Sequence, residues 1–386
     1  MAGGVCTLTH RFLRTASCLR HIAVQLPGLS IPATQPMIPR RTLLQSGAAA
    51  VLAAPALVGF AQSPITLKFH TFMAPLSKVW LSMHKPWMDK VEKESGGRLK
   101  FEAYPAMQLG GTPAQLYDQV KDGVVDIIWT LPGYSAGRFP KTEAFELPFM
   151  MNNAEATSKA LWEYLHTVAA DDYQDTQLLA VNVHGPGVLH SRDKPVKTVA
   201  DLRGMKVRGP SRPTTKMLGY LGAIPVGMPL PAIPDALSKG TIDACALPWE
   251  VVPSVKVQEL TRFHSEFTPE VGALYTAAFV MAMNKSRYAS LPPDLKKVID
   301  ANSGLATSGW MGKTQQANDA SGRKSALDRH NTVYTIPAID AQEFKRKAAL
   351  VEVEWMQEMN KRGFDGHQLR EVARALIEKH AKSTKT

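Results

Sequence analysis

Beyond residue 64 the hydrophobic pattern switches repeatedly between two periods. Residues 65–70 alternate apolar and polar side chains, as a half-buried strand does. Residues 77–94 carry a helical pattern that Gly96 and Gly97 close. Residues 98–104 alternate again, Pro113 opens a helix that ends at Gly123, and 124–130 read as a short apolar strand. Strand and helix in turn imply an α/β fold with a mostly parallel sheet. Farther on, Asp201 to Gly204 reads as a helical turn, with Thr198 and Asp201 spaced as a capping box. A strand over 205–208 and a helix over 213–221 follow. Beyond Leu291 the chain turns helical: Pro292-Pro293-Asp294 starts one helix, and 341–362 and 368–382 predict two long amphipathic ones.

A faint repeat runs through this pattern at an offset of 117 residues. Gly110, Leu116, Asp118, Val120, Gly123 and Asp126 find Gly227, Ile233, Asp235, Leu237, Gly240 and Asp243 at that distance. Each copy reads as a helix, a Gly at its end, two residues, an Asp and then a strand. Two similar α/β halves would face each other across a cleft at the carboxyl ends of their strands, where open α/β sheets bind ligands.

Composition adds a boundary. The chain of 386 residues has a formal charge of +11. Residues 1–61 hold five Arg, no Lys and no acid, so the remaining 325 residues carry 40 basic against 34 acidic groups. Those charges are scattered with no basic run among aromatics, which excludes a nucleic-acid partner. Arg40-Arg41-Thr42-Leu43-Leu44-Gln45 followed by an apolar stretch reads as a twin-arginine signal, and Gly59-Phe60-Ala61 as its cleavage site. The expected product starts near Gln62 and is exported to the periplasm. Residues 1–36 resemble an organelle transit peptide in composition, or lie before a true start at Met37. Of Cys6, Cys18 and Cys245 only the last falls in the exported part, so no internal disulfide is expected there.

Candidate chemistry is sparse. Gly133-Tyr134-Ser135-Ala136-Gly137 matches the nucleophile-elbow pattern after a strand. The elbow needs a helix immediately behind the Ser, whereas Pro132 and Pro140 flank the motif and 142–150 lack helical period. A Gly-rich loop at the cleft rim fits better. Cys245 sits at a strand end among Ala244, Ala246 and Leu247, surroundings that raise a thiol pKa. A hydrolase using Ser135 or Cys245 stays as the alternative. No metal-ligand spacing, phosphate loop or dinucleotide fingerprint occurs, so neither metal nor cofactor is expected. Arg208 ends a strand before Gly209-Pro210-Ser211 and a helix. There it either binds a ligand carboxylate with its planar fork or pairs with an acid, and the residues alone leave both open.

At these positions the sequence resembles the DctP-type substrate-binding proteins of tripartite ATP-independent periplasmic (TRAP) transporters. The resemblance runs over roughly 65–362. It is carried by Leu202-Arg203-Gly204-Met205-Lys206-Val207-Arg208, by Leu221-Gly222-Ala223 with Pro225 and Met228-Pro229, and by Ala236-Leu237-Ser238-Lys239-Gly240-Thr241-Ile242-Asp243-Ala244. Phe145-Glu146-Leu147-Pro148-Phe149 and Leu291-Pro292-Pro293-Asp294-Leu295 add to it. The resemblance implies an α/β, two-lobe periplasmic-binding-protein-like fold with a ligand cleft between lobes, hinge strands and a long spanning helix. Lobe I would comprise 62–183 and about 275–317, lobe II 184–274 and about 318–362, and 363–386 a C-terminal helix and tail. It also implies a receptor without catalytic activity, which delivers its solute to a permease of a small and a large membrane subunit. Arg208 falls at the family's carboxylate-binding arginine.

Two positions depart from members that bind sugar acids. Their second Arg falls at Val188 here, and an Asn falls at Leu247. An apolar pocket suits a monocarboxylate, 2-oxo or 2-hydroxy, with an aromatic or aliphatic body. Phe72, Trp129, Tyr134 and Trp249 are the expected body-binding residues, each at or just past a strand end. Glu250 would hydrogen-bond a ligand hydroxyl or pair with an Arg. A dicarboxylate or amino acid would need a second cation, for which Arg138, Arg192 and Arg212 are the nearest.

Overall fold

The computed structural model describes residues 63–383 except Asn152. The signal and cleavage-site readings of 1–61 lie outside the described residues. Among the described residues, eleven strands form two sheets. They are β1 (Ile65–Thr71), β2 (Leu99–Tyr104), β3 (Ile127–Thr130), β4 (Thr176–Val183), β5 (Gly187–Ser191), β6 (Lys206–Gly209), β7 (Ile224–Gly227), β8 (Ala244–Pro248), β9 (Phe263–Phe267), β10 (Ala278–Asn284) and β11 (Thr332–Ile336). The first sheet runs β2-β1-β3-β10-β4 and the second β11-β9-β5-β8-β6-β7.

The order is the same in both sheets once one is reversed, with β2, β1, β3, β10 and β4 matching β7, β6, β8, β5 and β9. The repeat seen in the sequence is the cause. Gly123 and Gly240 both take positive φ, 76° and 69°, at the ends of their helices. Asp126 Oδ2 accepts from Lys68 N at 2.7 Å, and Asp243 Oδ2 accepts from Lys206 N at 2.8 Å. Each Asp therefore pins the start of its strand to the neighbouring one.

The sheets are mixed, not mostly parallel as the strand–helix alternation predicts. β10 is antiparallel to both β3 and β4, and β5 is antiparallel to both β8 and β9. Both are strands that the chain lays down as it crosses from one sheet to the other, after β9 and after β4. No local crossover helix reverses their direction, so they enter against their neighbours.

A third crossing is helical. The helix Gly304–Ala317 packs on β4 and on the helix Ala154–Thr167, whereas the following helix Asp319–Leu327 packs on β11 and on the 3-10 turn Trp249–Val255. The long helix Ala338–Lys361 packs on Arg212–Tyr220, and Gly366–Ser383 returns to Ala154–Thr167. Among the described residues no helix is long and apolar enough to cross a membrane.

Candidate ligand-binding site

Arg208 is the third residue of β6, and only 1% of it is exposed. Its Nε donates to Met228 O at 2.9 Å and its Nη1 to Ala246 O at 3.0 Å. Two backbone carbonyls thus fix the plane of the guanidinium and leave its other N–H groups for an anion. Its protein partners are neutral, the two carbonyls and the Tyr134 phenol, not the surface acid that the sequence left open. A buried cation without a counter-charge is costly, so a ligand carboxylate would gain both the Coulomb attraction and the hydrogen bonds.

Arg208 lines a small cavity, with about 30 Å³ of free space, between the ends of the two sheets. Phe72, Trp129, Tyr134, Leu247 and Glu250 line it too, as do Tyr275, Phe279 and Gln315. Trp129 and Phe279 stack at 4.3 Å between centroids and 9° between planes. Phe72 meets Tyr134 edge-on at 5.4 Å. Leu247 adds apolar wall where a polar group would serve a sugar.

Polar groups inside this wall are few. The Tyr134 hydroxyl accepts from Leu230 N at 3.0 Å, a contact between residues that flank the cavity from the two sheets. The Tyr275 hydroxyl is buried and makes no hydrogen bond within the protein. Burial raises both phenols more than the nearby Arg208 charge lowers them, so both remain O–H donors at neutral pH. His184 Nε2 accepts from Ala277 N at 3.1 Å, which places the proton of the neutral ring on Nδ1, facing Gly185 O. Burial pushes His184 down to about 4, so it brings no charge. Among the described residues, Arg208 is then the sole cationic side chain lining the cavity. Arg138 is paired with Asp118, and Arg212 with Glu143 and Glu358.

Two expected residues are elsewhere. Trp249 and Val188 line a separate cavity with Glu266 and Phe267. The Trp249 indole N–H is taken by Glu266 Oε2 at 2.9 Å, and its ring packs on His190 and His264, each at 5.0 Å. Glu250, one residue on, does face the main cavity, and Gln315 rather than an Arg is its side-chain partner.

Neither nucleophile of the hydrolase alternative is arranged for attack. Ser135 follows a 3-10 turn, Pro132–Tyr134, instead of opening a helix, and its hydroxyl donates to Ala114 O at 3.0 Å. Cys245 is fully buried between β5 and β6, and burial pushes its thiol up to about 12. Among the described residues no group of three His, Cys, Asp or Glu could share a metal ion.

Sequence reasoning missed Tyr275, Phe279 and Gln315. Tyr275 and Phe279 flank the start of β10, whose signal is an unbroken apolar run from Ala277 to Met283, the mark of a fully buried strand. Gln315 carries no local signal, being one polar residue near the end of a helix.

The sequence profile of the bacterial extracellular solute-binding proteins, family 7 (DctP), matches residues 70–358. Among solved structures, a TRAP solute-binding protein from Rhodoferax ferrireducens T118, in complex with copurified benzoate, is 73% identical. It covers 83% of this chain and 99% of its own, with a TM-score of 0.83. A marine-metagenome TRAP solute-binding protein specific for aromatic acids, in complex with 3-hydroxybenzoate, is 49% identical over 82% of this chain and 99% of its own, with a TM-score of 0.81. One from Bordetella bronchiseptica, with bound (R)- and (S)-mandelate, is 26% identical over 82% of this chain and 99% of its own, with a TM-score of 0.75. With its two-sheet fold, its inter-sheet cavity and this match over three quarters of its length, the chain belongs to the DctP family, the substrate-binding proteins of TRAP transporters.

Proposed function

We propose that this protein is a periplasmic receptor for an aromatic monocarboxylate, which it hands to a permease of a small and a large membrane subunit. The observation that carries the reading is a single buried guanidinium, held by neutral carbonyls, in a cavity walled by Phe72, Trp129, Tyr134, Tyr275 and Phe279. The carboxylate meets Arg208 and the phenol hydroxyls, and the ring enters the aromatic wall. The ligands of the similar structures, benzoate, 3-hydroxybenzoate and mandelate, support the same chemistry. One cation matches one carboxylate, which argues against a dicarboxylate. Segments 62–183 with about 275–317, and 184–274 with about 318–362, act as the two lobes that close on the ligand. Export follows the twin-arginine signal at Arg40-Arg41, and the protein performs no turnover of its ligand.

The test is calorimetric titration of benzoate into protein that has been unfolded, dialysed and refolded to strip copurified ligand. Arg208→Met removes the charge while keeping most of the stem. Binding is expected to weaken at least about 100-fold, because two charge-assisted hydrogen bonds are each worth roughly 1.5–3 kcal/mol. Unchanged affinity in a folded Arg208→Met protein would refute the carboxylate role.

A further inference from the structure

Trp129, in the wall of the cavity, starts a directed relay. An indole N–H can only donate. It gives its hydrogen to Asn182 Oδ1 at 3.1 Å, so Asn182 Nδ2 is turned to Gln315 Oε1, at 2.6 Å. Gln315 Nε2 in turn donates to Glu250 Oε1, also at 2.6 Å. The donor at the head of the chain thereby fixes both amide orientations. Glu250 is the terminus, with one oxygen occupied as an acceptor. Its other oxygen, Oε2, is buried, belongs to a side chain lining the cavity, and makes no hydrogen bond within the protein.

No cation pairs with this carboxyl among the described residues. Its charged neighbour is another acid, Asp319, whose Oδ1 accepts the backbone N–H of Glu250 at 3.0 Å. Burial first, and Asp319 second, push Glu250 up to about 8 against the N–H groups of Gln315 and Val251, so the protonated form predominates at pH 6.5. The relay already donates to Oε1, so the proton sits on Oε2 and needs an acceptor.

We propose that Glu250 reads the ring substituent of the ligand: its Oε2 donates a hydrogen bond to a hydroxyl or carbonyl oxygen on the aromatic body, so that the receptor prefers oxygen-bearing aromatic monocarboxylates to those with an apolar group in the same place. The inference rests on the aromatic-acid reading of the same cavity. Arg208 supplies affinity for every member of the class, and Glu250 selects within it. An apolar substituent would leave a buried donor unpaired, a mismatch that costs more than the bond itself gains.

The experiment is calorimetric titration at pH 6.5 of stripped, refolded protein with benzoate, the three hydroxybenzoates and the three methylbenzoates, which match the hydroxyl in size. At least one hydroxybenzoate is expected to bind about fivefold or more tightly than the methylbenzoate with the same ring position. In Glu250→Leu that ratio collapses toward one. In Glu250→Gln it persists, since the amide Nε2 donates where Oε2 did while Oε1 still accepts from Gln315. The inference is overturned if no hydroxybenzoate beats its methyl counterpart in the parent, or if Glu250→Gln loses the preference. A Glu250→Leu protein that keeps the full ratio also overturns it. Should Glu250→Leu fail to fold, the parent and Glu250→Gln decide. If benzoate binds and the preference is missing, only this inference falls; if no aromatic acid in the panel binds, the proposed function falls with it.

Discussion

Buried side chains, Glu250 and His184 of the cavity among them, have shifted protonation equilibria, and this has a consequence for stability. Burial pushes Glu250 up to about 8, and Glu146 and Asp319 up to about 7. It pushes His84 down to about 3, and His184 and His264 down to about 4. Between the ordinary carboxyl value near 4.5 and these raised values, the folded acids hold protons that the unfolded chain has shed. Their contribution is complete below 4.5 and is lost as pH rises to about 8. The histidines act in the opposite sense: their contribution is present above 6.5 and is lost as pH falls toward 4. From 6.5 to 8 the histidine contribution is largely in place, and the acids dominate the change. The melting temperature of ligand-free protein is therefore expected to fall over that window, and to fall less in Glu250→Gln. A rising curve would mean that these carboxyls are ionised in the native state.

Secondary-structure elements set the positions of these groups, and close approaches show how tightly. A Cβ built on Gly187 in β5 would lie 2.0 Å from Tyr275 Cε1. The Tyr275 ring occupies the space of a side chain, which holds its hydroxyl in the cavity. Gly187→Ala is expected to displace that ring, lower stability by about 1–3 kcal/mol as other overpacked sites do, and weaken benzoate binding. Calorimetry and thermal melting of the variant check both effects. An unshifted melting temperature would show that the strand yields instead of the ring.

The sequence made some of this level legible. Several helices, though not Ala154–Thr167, the first strands and the Asp126/Asp243 repeat were readable because their signals are local: period, capping and glycine at a helix end. The places of β5 and β10 were not, because strand pairing is decided by partners 50 or more residues away, such as Val280 with Thr130. The site divides in the same way. Arg208, Phe72, Trp129 and Tyr134 lie at strand ends of a kind that the α/β pattern directs to the cleft. Trp249 met the same criterion but turned toward His190 and His264. The path of a 3-10 turn, Trp249–Val255, separates it from Glu250, and no hydrophobic period encodes that path.

Across the whole molecule, the two sheets are tied by an ion pair, Arg212–Glu143, as well as by the cavity. Arg212, at the start of a helix beside the second sheet, pairs with Glu143 in the turn Thr142–Glu146 and with Glu358 in the long helix Ala338–Lys361. The Tyr134 hydroxyl adds its bond to Leu230. Neither Arg212 nor Glu143 lines the Arg208 cavity. If the Arg212–Glu143 pair holds the lobes together, losing it lowers the fraction of binding-competent protein and with it the apparent affinity. Arg212→Met is expected to weaken benzoate binding about tenfold, equivalent to about 1.4 kcal/mol, and to enlarge the ligand-free protein in small-angle scattering. Unaltered affinity and size would exclude the Arg212–Glu143 pair from closure.

The crossings between sheets bear on how the molecule comes into being. In the first sheet β10 sits between β3 and β4, yet it leaves the ribosome more than ninety residues after β4 ends. Until it arrives, two of the four earlier strands present bare hydrogen-bonding edges across a gap of one strand. The first lobe therefore cannot mature as an independent folding unit before the strands of the second have been synthesised. The nascent chain passes through a long interval in which its first half is complete in sequence and incomplete in structure, the interval when a chaperone would have most to protect.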